Sequence, residues 1–236
     1  VRRIPATRRR LRLISAALVA PGVRHLVLET ADGAAFDHLA GQWVKLYLPG
    51  GVERDYSIAS APGEHGAARL ALLVTKVEGG PGSGALHAMQ PGEELDALGP
   101  NGLFVREDAE QSAPALFVGT GTGVAPLRAM IVDALGRGER TDKLLLFGCR
   151  TEADVLFAEE WRARGLRFEP TLSRASDAWA GRRGYVQAHL AELLPTLPAG
   201  AHVYVCGLTK MIDDVRRVLK EELGVDRRRI HSERYD

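Results

Sequence analysis

A chain of 236 residues, 45% hydrophobic and 26% charged, has the make-up of a folded globular protein with room for one or two domains. Its net charge of +1 excludes a global electrostatic case for nucleic acid or a membrane surface, and no apolar run reaches the length of a membrane span. Two cysteines, Cys149 and Cys206, are too few for a disulfide scaffold or a four-cysteine iron–sulfur cluster.

The start, VRRIPATRRRLRLISAALVAPG, carries arginines around a short, interrupted apolar stretch. It lacks a signal-peptide core and cleavage site, so a cytoplasmic location is expected. From residue 9 to about 105, the runs LRLISAALVA, RHLVLET, GQWVKLYLP, RDYSIAS, RLALLVTKV and EELDALGP each read as a strand or half-strand. Turn signals at Pro21-Gly22, Asp32-Gly33, Pro49-Gly50-Gly51 and Pro62-Gly63 separate them, which predicts an antiparallel barrel or sandwich. One helix is expected within SGALHAMQPG, from near Ser83 to Pro91-Gly92. The polar stretch REDAEQSAP, residues 106–114, marks a junction between 1–107 and 108–236. Beyond it the strands ALFVGTG, KLLLFGCR, RFEPTLSR and AHVYVCG alternate with the helical patterns APLRAMIVDALGRG, DVLFAEEWRARG, YVQAHLAELLP and KMIDDVRRVLKEELG. Apolar strands alternating with helices predict a parallel α/β sheet.

The first chemical signal is GTGTGVAP, residues 119–126, between a buried strand and a helix. The turn Gly119, Thr120, Gly121, Thr122, Gly123, closed by Pro126, presents amide groups and a helix N-terminus to a phosphate. It does not match the six-residue Rossmann pattern, and a tight turn without a ligand is the alternative. FGCR, TLSR and VCG end later strands, on the edge where open α/β sheets bind ligands. Arg150, Ser173, Arg174 and Arg182 suit a monoester phosphate, against the alternative of solvated arginines. Cys206 reads equally as a buried strand residue. RDYSIAS alone reads as an edge charge (Arg54), a half-buried aromatic (Tyr56) and a turn former (Ser57), with Arg54 and Tyr56 on one strand face.

In this order RDYSIAS, GTGTGVAP, VCG and the terminal ERY resemble the ferredoxin–NADP reductase family over nearly the whole chain. The resemblance implies an all-β plus α/β molecule: an N-terminal antiparallel β-barrel that binds FAD (1–107), then a parallel-sheet, Rossmann-like NAD(P) domain (108–236), without a fused ferredoxin domain. It gives Arg54 the flavin phosphate, Tyr56 the isoalloxazine and Ser57 the flavin N5 edge, and counts Ile58 among the cofactor-binding residues. It sets Val74 and Lys76 beside the ring and makes Gly80, Gly82 and Ser83 a pyrophosphate segment, while Gly41 allows close flavin approach and GPNGLF, residues 99–104, closes the barrel. In the second domain it adds Cys206, Gly207 and Met211 at the dinucleotide, Glu233 at the hydride-transfer pocket, and Tyr235 over the flavin face. Ser57, Cys206 and Glu233 are then the catalytic positions, polarising and orienting groups with no metal. A family proline after Cys-Gly is Leu208 here, which alters that turn.

The implied activity is hydride transfer between NAD(P)H and FAD, with electrons passed to or from a one-electron carrier such as ferredoxin or flavodoxin. FAD is expected over FMN because two phosphate-binding elements are present. NADP is expected over NAD because of the arginines. Alternatives are the reductase component of a multicomponent oxygenase, a free-flavin reductase, or a flavin-binding electron-relay or regulatory subunit. A monomer is expected, with the segment Arg2 to Arg12 docking an acidic partner.

Overall fold

The computed structural model describes residues 4–235, apart from the side chain of Tyr235. The chain divides into two compact units: residues up to Arg106 together with Arg128–Arg137, and Glu107–Leu127 together with the chain from Gly138 onward.

The first unit contains β1 (Thr7–Ala20), β2 (Val23–Thr30), β3 (Trp43–Leu48), β4 (Val52–Ser57), β5 (Arg69–Thr75), α1 (Pro81–Ala88) and β6 (Glu94–Asn101). The strands form one antiparallel sheet in the order β4-β3-β6-β1-β2-β5. Between the end strands stands an isolated bridge, Ile58 to Leu72, so the expected barrel is a six-stranded sheet without a closing ladder among the described residues. Alternation drives the packing: Leu11 and Leu13, Leu26 and Leu28, and Val44 and Leu46 turn one face of their strands into a common core. Helix α1 starts at Pro81, two residues before the sequence suggested. Proline suits that place because its missing N–H would have no helical acceptor there.

Arg8, Arg10 and Arg12 of β1 lie on the opposite face and are paired within the sheet. Arg8 meets Asp96 at 3.2 Å, while Arg10 and Arg12 share Glu94 at 2.9 and 3.0 Å. Hydrogen bonding from Arg12, then the charges of Arg12 and Arg10, outweighs partial burial and holds Glu94 below the usual carboxylate range. Within the segment Arg2 to Arg12, expected to dock an acidic partner, Arg8, Arg10 and Arg12 are thus already paired with acidic residues of β6. Arg2 and Arg3 lie outside the described residues. Deeper in this unit, the Arg128 guanidinium donates to Glu64 Oε1 at 2.6 Å, Glu64 Oε2 at 3.0 Å and the Ala59 carbonyl at 2.8 Å.

The second unit follows the α/β alternation with β7 (Ala115–Thr120), the start of α2 (Val124–Gly136), β8 (Lys143–Cys149), α3 (Ala158–Ala163), β9 (Arg167–Leu172), β10 (Arg182–Arg183), α4 (Leu190–Leu193), β11 (His202–Leu208), α5 (Thr209–Arg217) and β12 (Ile230–Tyr235). The sheet is parallel in the order β10-β9-β8-β7-β11-β12. Leu116–Val118, Leu144–Phe147 and Val203–Cys206 are wholly buried, as strands covered on both faces must be. The helices are shorter than their sequence patterns. Phe157 sits in the left-handed region (φ 60°) and delays α3 to Ala158. The YVQAHLAELLP pattern breaks into 3-10 turns on either side of α4, and α5 passes into a π turn at Val218–Glu222. The terminal ERY is the end of an edge strand. Among the described residues no helix is long and apolar enough to cross a membrane.

Candidate active site

In the first unit β4 places Arg54 opposite Leu46 and Tyr56 opposite Val44, so both side chains leave the same face of the strand. Tyr56 packs half-buried on the edge of the core, and burial, partly offset by the Arg54 charge, raises its hydroxyl above the ordinary tyrosine value. Arg54 is exposed and donates to the Glu53 carbonyl at 2.7 Å. Its stem crosses the first turn of α1: a Cβ at Gly82 would stand 2.9 Å from Arg54 Cγ. Glycine therefore brings a guanidinium and the helix N-terminus together. The first-turn amides of Gly82 and Ser83 have no acceptor within the helix. A cation, two amide donors and a space that a side chain would fill suit a diphosphate.

Three expectations in this unit are corrected. The Ser83 hydroxyl accepts from the Val77 amide at 3.0 Å and faces the Gly80 carbonyl at 3.3 Å, so it ties the turn at Gly80 instead of reaching for phosphate. The side chains of Val74 and Ile58, expected at the flavin, are fully buried in the core. A Cβ at Gly41 would stand 2.0 Å from the Phe104 carbonyl, so its smallness serves packing against residues 104 and 130. Lys76 is exposed just past β5, where its amide donates to Gly22 at 2.7 Å. Ser57 ends β4, buried and held opposite Trp43.

In the second unit the strand order turns back between β7 and β11, and the carboxyl ends of these two strands flank the crevice. The turn Gly121–Gly123 fills one side, leading into α2 with Pro126 in its first turn. Cys206, fully buried, and Gly207 form the other side. The two are in contact: a Cβ on Gly123 would stand 2.5 Å from the Cys206 carbonyl. A Cβ on Gly207 would meet Thr120 Oγ1 and Met211 Cε, each at 2.5 Å. Thr120, Gly123, Cys206, Gly207 and Met211 thus converge. Parallel pairing sets Gly119, Cys206 and Glu233 side by side on β7, β11 and β12. Gly119 itself leaves room for Leu127, whose Cδ1 would be 2.8 Å from a Cβ there. The ring of Tyr235 lies outside the described residues. Sequence reading missed Gly148, where a Cβ would stand 2.9 Å from Thr120 Cγ2; its cue was a glycine inside the apolar run KLLLFGC.

The arginines expected at a phosphate divide into two kinds. Arg150 and Arg174 are exposed on adjacent loops, joined by the Arg174 amide donating to the Arg150 carbonyl at 2.7 Å; Ser173 bonds Cys149 in the same way at 3.0 Å. Arg182 is corrected out of this group. It lies between Glu192 and Glu169, at 2.6 and 2.9 Å, and their hydrogen bonds raise its affinity for its proton further. Arg182 and Arg183 are consecutive strand residues, so only one faces the loop side. Arg183 does, closing the loop after Arg174 by donating to the carbonyls of Ser176 and Trp179 at 2.7 and 2.8 Å. Tyr185, two residues further on, carries a 69% exposed ring that the sequence reading did not single out.

Known proteins agree with both halves. The Oxidoreductase FAD-binding domain family matches residues 10–105, and the Oxidoreductase NAD-binding domain family matches residues 117–217. Ferredoxin–NADP reductase B of Sorangium cellulosum (strain So ce56) is 50% identical over 239 residues, covering 95% of this chain and 96% of that protein. The phenol hydroxylase P5 protein of Acinetobacter pittii (strain PHEA-2) is 31% identical across 83% of this chain, which spans 57% of that relative. The crystal structure of Amycolatopsis cytochrome P450 reductase GcoB superposes with a TM-score of 0.87 at 29% identity, over 98% of this chain and 70% of that one. The chain belongs to the ferredoxin–NADP reductase family of two-domain oxidoreductases that use FAD and NAD(P)H.

Proposed function

We propose that this chain moves electrons between NADPH and a soluble one-electron protein carrier of the ferredoxin or flavodoxin kind, with residues 1–107 holding FAD and 108–236 holding the dinucleotide. The observation that carries this reading is the convergence of the Gly121–Gly123 turn with Cys206, Gly207 and Met211 at the switch point of the second sheet. Bound FAD supplies the exchange between two-electron and one-electron chemistry. The chain's own residues bind, orient and polarise. Arg54 and the amides of Gly82 and Ser83 hold the diphosphate, and Tyr56 offers its ring to the isoalloxazine. Ser57 places a hydroxyl at the reactive edge, while Cys206 and Glu233 shape the nicotinamide side. Arg150 and Arg174 grip the 2′-phosphate, and the exposed ring of Tyr185 gives the adenine a face to stack on.

The test is an anaerobic titration of the FAD-loaded protein with NADPH and NADH in parallel. Flavin bleaching at lower NADPH concentration and at a higher rate is expected; a bound flavin that neither dinucleotide bleaches would defeat the reading. Arg174→Ala should raise KM for NADPH by about 10–100-fold, the worth of a charge-assisted hydrogen bond, and leave NADH unchanged. An equal loss with both dinucleotides would remove Arg174 from the 2′-phosphate. Arg54→Ala should weaken FAD binding by a similar factor of about 10–100, read by flavin titration of the stripped protein. The likeness to the phenol hydroxylase P5 protein and the cytochrome P450 reductase favours one second reading, reduction of an oxygenase component. Reduction rates with purified carriers of each class separate the two.

A further inference from the structure

Away from the dinucleotide crevice, the second unit gathers three metal-ligating side chains. His202 opens β11 at the amino edge of the sheet, and Tyr204 follows it on the same face. Pairing with β12 sets His231 opposite Tyr204. Glu110 comes from the 3-10 turn Asp108–Glu110, in the segment that leads into β7. His202 Nδ1 and His231 Nε2 are 3.0 Å apart, and Glu110 Oε1 lies 3.7 and 3.5 Å from them.

We propose that Glu110, His202 and His231 bind one divalent transition-metal ion, of which Zn²⁺ fits best, and that the ion staples the segment before β7 to the edge of the sheet. The distances carry the argument. A triangle with these sides has a point about 2.0 Å from all three corners, which is the Zn–N and Zn–O bond length. Two imidazoles and one carboxylate select zinc-class ions over calcium or magnesium, which prefer all-oxygen sites. The supporting contacts are also present. The Tyr204 hydroxyl donates to Glu110 Oε2 at 2.7 Å, which fixes the carboxylate with Oε1 toward the histidines. The ring of Tyr204 stacks on His231, with centroids 4.7 Å apart and planes 13° from parallel, and so restrains that imidazole. The side chains of Glu110, His202 and His231 are 14%, 18% and 23% exposed, which shelters an ion and leaves it an entry path and a water ligand.

Without an ion one imidazole donates to the other along the 3.0 Å contact. On binding, that proton moves to the far nitrogen of its own ring, and both facing nitrogens become ligands. The site stands at the amino edge of β11, whereas Cys206 and Gly207 stand at its carboxyl edge, so its role is structural and separate from electron transfer.

The experiment is a Zn²⁺ titration of the FAD-loaded, chelator-dialysed protein by isothermal calorimetry. One equivalent should bind, and the affinity should fall about 100-fold or more in His202→Gln and in His231→Gln. Thermal stability should rise with zinc in the parent and not in the variants. Absence of saturable binding, or binding unchanged in both variants, overturns the proposal. X-ray absorption on the zinc-loaded parent needs no variant. A nitrogen and oxygen shell at about 2.0–2.1 Å with imidazole scattering supports the site, and a sulfur shell at about 2.3 Å assigns the ion to a cysteine and overturns it.

Discussion

Ser57→Ala is expected to slow anaerobic flavin reduction by about 100-fold while FAD stays bound, the usual cost of removing one positioned donor from a reacting centre. Ser57 is fixed by its strand: it closes β4, sits opposite Trp43 and is buried. Removing one oxygen from a small buried residue leaves the packing of Ile58 and Tyr56 intact. A fall in the reduction rate with an unchanged FAD dissociation constant and melting temperature would be a loss at the chemical step. Ser57→Thr keeps the hydroxyl and should recover part of the rate. A stopped-flow reduction rate equal to that of the parent would remove Ser57 from the reacting centre.

Arg128→Met should cost about 3–5 kcal/mol, which lowers the melting temperature by roughly 10 °C for a chain of this size. The Arg128 and Glu64 side chains are 6% and 15% exposed, so deleting the guanidinium leaves a carboxylate sheltered from water and the Ala59 carbonyl without this donor. The double variant Glu64→Gln, Arg128→Met should regain much of the loss, because the stranded charge is gone. Acidity supplies a further check. Burial alone would raise the Glu64 pKa, but the hydrogen bond and charge of Arg128, with the Ala61 amide, outweigh it and hold the carboxyl below its usual range. A depressed folded-state value means the pair stabilises above the ordinary carboxyl pKa, about 4.3, and that this is lost as pH falls through the folded value. The gap in melting temperature between parent and Arg128→Met should therefore narrow below about pH 5. A gap that stays constant across the acid range would show that the methionine acts through packing alone.

Much of this was legible in the sequence because periodicity and turn chemistry are local. The period-two runs before residue 105 became the antiparallel sheet, and the apolar runs after 114 became parallel strands. GTGTG and VCG met at the switch point because both follow strands that end on the same edge. What stayed hidden depended on contacts between distant residues. Nothing local to RRR in β1 says that Asp96 and Glu94 stand opposite. The serine of GPGSG reads as a phosphate ligand until the loop from Val77 folds over it. Arg182 and Arg183 are indistinguishable in sequence, and strand alternation with two glutamates from elsewhere in the unit decides between them. Val74 and Ile58 carry no mark of burial beyond being apolar. Arg128 looks like one more helical cation, and its half-buried partner lies 64 positions earlier.

The two thiols bear on how such a protein ages. Reduced flavin that meets dioxygen in place of its carrier makes oxidant at close range. Oxidation of cysteine proceeds through the exposed thiolate. Cys206 is fully buried, and Cys149, its thiol donating to the Thr151 carbonyl, is pushed up to about 12 by burial and the nearby charges of Asp154 and Glu152. Cys206 offers no accessible sulfur and Cys149 no thiolate at neutral pH, so leakage should leave this chain's cysteines chemically unworn over many turnovers.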